Sequence, residues 1–174
     1  MDKGDDSWIL FYKAFTYYNN HFLQLVEKFI RNLFKYIVVS VSIFDVINKS
    51  VELANNDPEV LKDISHFGGE KLCFRFTDDV TVTVAVVNGK LAAEVGEIPD
   101  CKVVVKMSAI PFCEICDKTR TPSALREVSE VVKGELNEII ETVFALHPWF
   151  YALPRYYEKN SDFRRMVDER KQKR

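Results

Sequence analysis

Between Lys71 and Val95 the apolar residues of this chain stop recurring every three or four positions and begin to alternate, which narrows the folds open to it. Leu72, Phe74 and Phe76 alternate with Cys73, Arg75 and Thr77; after Asp78-Asp79, Val80, Val82, Val84 and Val86 alternate with Thr81, Thr83, Ala85 and Val87. Asn88-Gly89 follows, a two-residue hairpin signal because both central positions of a type I′ turn need positive φ. Lys90–Val95 completes a three-strand meander, and Lys102–Met107 reads as a fourth strand. Helical periods lie on both sides. Residues 42–56 carry Ile43, Val46, Ile47, Val51 and Ala54 on one face, with Ser42 as cap. Asp57 and Pro58 suit the N-cap and first position of a short helix running to Phe67. Beyond the strands, helices are expected at 109–117 (capped by Ser108), about 122–132 and 137–147, with Pro148 and Pro154 punctuating an aromatic stretch. This order predicts an α+β fold, a mainly antiparallel mixed sheet with helices covering one face.

The flanks differ from the middle. Of 22 aromatic residues, eleven fall in 1–44, four in 45–143 and seven in 144–174. Trp8, Phe15, Phe22, Phe29 and Tyr36 recur at steps of seven, so residues 7–37 read as one amphipathic helix with a broad apolar face. Such a face has to be covered, and a homodimer through residues 8–37 is one way. The segment Arg155–Arg174 holds eight basic and four acidic residues, so it reads as a solvated terminus or a transient contact for an anionic membrane surface. Three segments follow: an aromatic helical extension at 1–41, a central domain at 42–147 and an aromatic, basic tail at 148–174.

Several function classes lose support. With 24 Lys+Arg against 26 Asp+Glu the chain lacks the basic excess of a nucleic-acid binder. The longest strongly apolar run, Tyr36 to Phe44, is far shorter than the roughly 20 residues of a membrane span. Four Cys in a chain with an adequate core suggest a reducing cytoplasm. No GxSxG, phosphate loop or paired-His spacing occurs, so neither an enzyme nor a cofactor is expected. Cys113-Glu114-Ile115-Cys116 leaves open a thiol redox or metal role; at i and i+3 beside Phe112 and Ile115 the two thiols equally suit a helix core.

Residues 42–147 resemble the sterol carrier protein 2 (SCP-2-like) domain family. The hairpin from Phe74-Arg75-Phe76 to Val86-Val87-Asn88-Gly89-Lys90 carries part of this likeness. The strand-to-helix run Asp100-Cys101-Lys102-Val103-Val104-Val105-Lys106-Met107-Ser108 and the late Lys133-Gly134-Glu135-Leu136 segment carry the rest. The chain departs from the family at Glu127-Val128-Ser129-Glu130-Val131, where a phenylalanine-rich segment is usual. The resemblance implies a non-enzymatic carrier of an apolar ligand (a fatty acyl chain, isoprenoid or sterol-like lipid) held in a tunnel between sheet and helices. Ile110, Phe112, Ile115, Leu125, Val128, Ile140, Val143 and Phe144, on the inner stripes of the covering helices, are then expected to face that ligand. The alternative is a self-associating protein with a filled core that uses the 8–37 helix.

Overall fold

The computed structural model describes residues 40–172 and, within a separate unit spanning Met1–Val39, Gln24, Leu25 and Lys28, which are helical. The aromatic repeat of residues 8–36, and the dimer expected through it, fall outside the described residues.

Helix α1, Ile43–Ala54, starts as its sequence dictates. Ser42 Oγ accepts the Asp45 N–H at 3.1 Å and the Asp45 carboxylate accepts the Ser42 N–H at 2.8 Å, a reciprocal capping box. Asp57 caps α2, Pro58–Ile64, with Pro58 at its first position. Strands β1 (Lys71–Phe76), β2 (Val82–Val87) and β3 (Lys90–Val95) form the expected meander. Asn88 and Gly89 have φ of 52° and 71° and place Val87 opposite Lys90. The chain then crosses the sheet, so that β4 (Val103–Met107) pairs parallel with β1. Segment 96–102 makes this crossover on the face away from the helices. Thr83 Oγ1 donates to the Gly96 carbonyl at 2.7 Å, and Arg75 pairs with Glu97 at 2.6 Å. Cys73, Cys101 and Val104 form a small buried cluster there.

The second half differs from the sequence reading in three places. Pro122–Ala124 is a 3-10 turn and α4 is only Leu125–Val128; the expected helix through 132 gives way to strand β5, Glu130–Lys133. Ser129 Oγ donates to the Leu125 carbonyl at 2.7 Å, and its backbone turns extended. The β-branched pair Val131-Val132 then joins the open edge of β4, antiparallel and with a bulge, giving sheet order β3-β2-β1-β4-β5. Gly134, at φ +136°, returns the chain toward the helix layer; a Cβ there would sit 3.1 Å from Ile139 Cγ1 and 3.4 Å from the Lys102 carbonyl.

Helix α3, Ile110–Cys116, is capped by neither Ser108 nor Ala109 side chains. Asp78, from the β1–β2 turn, accepts the Ala109 N–H at 2.8 Å, and its neighbour Asp79 accepts the Ile43 N–H at 3.0 Å. One turn of two aspartates therefore serves the N-termini of two helices.

The largest difference is α5, which runs from Leu136 to Lys159 straight through Pro148 and Pro154. Each proline lacks the N–H owed to a carbonyl four residues back, normally enough to end a helix. Tertiary packing outweighs that loss. Leu146, Trp149, Phe150, Leu153 and Tyr156 are all buried, and a stop at 147 would expose most of them. Asn160 then caps α6, Ser161–Lys171, whose Phe163, Val167 and Arg170 are also buried. The boundary expected at 147/148 falls inside α5. As far as Gln172 the segment read as a tail belongs to the core-forming helices, not to a solvated terminus.

Candidate functional site

Helix α5 has two apolar faces. The inner one meets the sheet. Phe74, Phe112, Trp149 and Phe150 pack ring against ring, with centroids 4.8–6.4 Å apart for the contacting pairs. Trp149 Nε1–H donates to Ser50 Oγ at 3.1 Å, and Ser50 donates in turn to the Ile47 carbonyl at 2.6 Å, so the one polar edge of the cluster is satisfied. These rings lie between sheet and helices, where the carrier reading expects a tunnel.

The outer face is exposed. Leu136, Ile140, Val143, Phe144 and Tyr151 repeat at helical spacing, with Leu136 71% and Phe144 64% accessible. Val131 and Val132 of the edge strand are also exposed. Charge, turns and bulges protect a sheet edge, and β5 has Glu130, Lys133 and a bulge; the outer apolar face of α5 is left exposed.

The eight residues expected at a ligand divide accordingly. Phe112 and Ile115 lie wholly inside the core. Ile110, Leu125 and Val128 are half-buried, and Leu125 packs against the core's margin. Ile140, Val143 and Phe144 point outward, so their expected place on the inner stripe is corrected. The expected helix ended at His147, and its short window left the phase undetermined; Trp149, Phe150, Leu153 and Tyr156 set it, turning Thr142, Ala145 and Leu146 inward.

Two surface clefts flank α5. One, of about 290 Å³, lies near Gly69, Glu70, Lys71, Lys102 and Glu138. The other, of about 320 Å³, lies between α2 and the middle of α5 and is lined by Glu59, Asp63, His147, Pro148, Tyr151 and Arg155 among others. None of the eight expected residues lines either cleft. Beside the second cleft, Arg155 bonds the carboxylates of Asp57 and Glu59, and Tyr156 Oη donates to Asp57 at 2.9 Å. Burial pushes the Asp57 carboxyl up, but the bonds from Tyr156, the Glu59 N–H and Arg155 outweigh it and hold the group below the usual carboxylate range. Burial and that same carboxylate push the Tyr156 phenol up.

The thiols of α3 are free and fully buried in the core. Burial pushes Cys113 up to about 12 and Cys116 well above its ordinary value. A thiol held in its neutral form is a poor nucleophile at neutral pH. Among the described residues no group of three or more His, Cys, Asp or Glu is placed to hold a metal ion. A Cys113→Ala/Cys116→Ala variant is therefore expected to stay folded and lose about 1–3 kcal/mol, from packing alone. Urea denaturation measures the loss, and rapid reaction of both thiols with a disulfide reagent in the folded wild type contradicts the assignment.

No family model matches the chain, and a search of curated proteins finds no match. Solved structures with which it aligns include a "UbiJ-SCP2 Ubiquinone synthesis protein", at 13% identity and TM-score 0.46 over 61% of this chain and 95% of that one. A sterol carrier protein 2 aligns at 17% identity and TM-score 0.43, covering 75% and 94%. A possible sterol carrier protein from Thermus thermophilus aligns at 20% and 0.42, covering 67% and 84%. All three likenesses are below 25% identity and concern the fold. Among the described residues no helix is long and apolar enough to cross a membrane.

Proposed function

We propose that residues 40–172 form a non-catalytic binding module for an apolar ligand, a fatty acyl, isoprenoid or sterol-like lipid, taken on the outer face of α5. The exposed stripe Leu136–Ile140–Val143–Phe144–Tyr151 carries this reading. It spans 15 residue steps, about 22 Å at roughly 1.5 Å per residue. One acyl chain fills about half of a roughly 30 Å hydrocarbon core, so a single chain fits along it. Micromolar affinity is about −8 kcal/mol, which corresponds to desolvating roughly ten methylenes at about 0.8 kcal/mol each. The five exposed apolar side chains of the stripe supply the contact surface for such a chain.

Titration with a fluorescent long-chain fatty acid tests the proposal. Saturable binding at micromolar probe is expected, weakened about tenfold or more in a Val143→Asp/Phe144→Asp variant. These side chains are exposed, so the variant's melting temperature should stay near that of the wild type. Absence of saturable binding to the folded wild-type chain overturns the reading.

The ring-filled interior favours a second reading, in which the same face meets another copy of the chain. Concentration-dependent dimerisation abolished by the same two substitutions, with no lipid binding, marks that case in sedimentation.

A further inference from the structure

Building on the ligand reading above, we infer that the 320 Å³ cleft between α2 and α5 takes the cationic head of an amphiphile whose apolar tail runs along the α5 stripe. Three features converge there. Tyr151 and His147 belong both to the cleft wall and to the outer face of α5, so cleft and stripe form one continuous surface. Their rings lie 4.1 Å apart at 30°, and Tyr151 is 56% accessible, so aromatic surface is within reach of a cation. The local charge is negative. Asp57, Glu59 and Asp63 stand against Arg155, whose guanidinium is already bonded to Asp57 and Glu59. Asp63 has no ion-pair partner among the described residues, so it is free to meet a ligand's charge.

An anionic head finds no unpaired cation in this wall, since Arg155 is engaged twice. A quaternary ammonium or protonated amine finds an aromatic face and an unpaired carboxylate.

Calorimetric titrations of the full chain with hexadecyltrimethylammonium, hexadecanoate and tetramethylammonium test this, each below its micelle concentration and with near-ultraviolet circular dichroism confirming the fold. The cationic amphiphile is expected to bind about tenfold tighter than hexadecanoate, and tetramethylammonium far more weakly than either. Tyr151→Ala should cost the cationic amphiphile about three- to fivefold. Asp63→Asn should cost it a similar factor, reduced further by added salt, and should leave hexadecanoate unchanged or tighter. Equal binding of the two amphiphiles, or preference for hexadecanoate, overturns the head-group assignment while the stripe reading stands. Tetramethylammonium binding as tightly as the amphiphile overturns the link between cleft and stripe. Failure of both amphiphiles to bind overturns this inference together with the proposed function.

Discussion

A chain ending at His147 is expected not to fold. Such a cut follows the boundary that the prolines and aromatic cluster suggest, and it removes Trp149, Phe150, Leu153 and Tyr156 from the core together with Phe163 and Val167 of α6. Losing one buried Trp or Phe typically costs about 3–5 kcal/mol, and a whole domain has about 5–15 kcal/mol of stability. The six buried side chains lost together exceed that margin. The graded form is Trp149→Ala, for which a loss of about 3–5 kcal/mol is expected because it opens the ring cluster and also removes the donor to Ser50. Circular dichroism and proton spectra of the shortened chain, and urea midpoints of the point variant, measure the two effects. A cooperative transition in a 1–147 chain contradicts this account of the core.

Replacing Arg170 with Met is expected to cost about 3–5 kcal/mol, because removing one partner of a buried ion pair leaves the other uncompensated. Arg170 is 1% accessible and donates to Asp79 at 2.8 Å and to Asp78 at 3.2 Å, the turn that also caps α1 and α3. The loss should therefore reach three helices and the β1–β2 turn together. The effect depends on pH with a defined sign. Burial pushes the Asp79 carboxyl up, but the Val80 and Ile43 N–H groups and Arg170 outweigh it and hold it below its ordinary value. Asp117 is held down in the same direction, burial being opposed by Lys171 and Thr119, and Asp57 behaves likewise. Groups depressed in the folded state contribute stability above their unfolded pKa, about 3.9, and lose it as pH falls through the folded value. Wild-type stability should thus be level through neutral pH with respect to these groups and fall below about pH 4. In Arg170→Met that acid decline should be shallower, since Asp79 has lost one of the groups that held it down. Urea denaturation at pH 7 and pH 3 gives both quantities, and an unchanged midpoint at pH 7 contradicts the role given to Arg170.

Local chemistry was legible wherever neighbouring residues decide conformation. Ser42, Asp57 with Pro58, and Asn88-Gly89 carry their own φ preferences and hydrogen-bonding groups, and each forms the cap or turn read from it. The two-residue period of β1 to β3 also sufficed, because Leu72, Phe74, Phe76, Val82, Val84, Val86 and Leu91 are buried on one face of that sheet. From these came the α+β class and the covered sheet face. Tertiary contacts decided the rest. Glu130–Lys133 is a strand because β4 offers an unpaired edge, which no local signal in a four-residue stretch announces. Asn55 reads as a helix stop, yet its side chain donates to the Leu91 carbonyl at 2.8 Å and accepts the Leu91 N–H at 2.9 Å, binding α1 to the opposite edge of the sheet. Pro148 and Pro154 remain inside a helix because buried rings on either side stabilise it more than two missing hydrogen bonds weaken it. That continuation set the helix phase, and the phase in turn placed Ile140, Val143 and Phe144 on the outside. A stripe of apolar residues shows in the sequence; whether it faces the core or the solvent depends on what lies beyond its ends, here Trp149 and Phe150, which occupy the interior first.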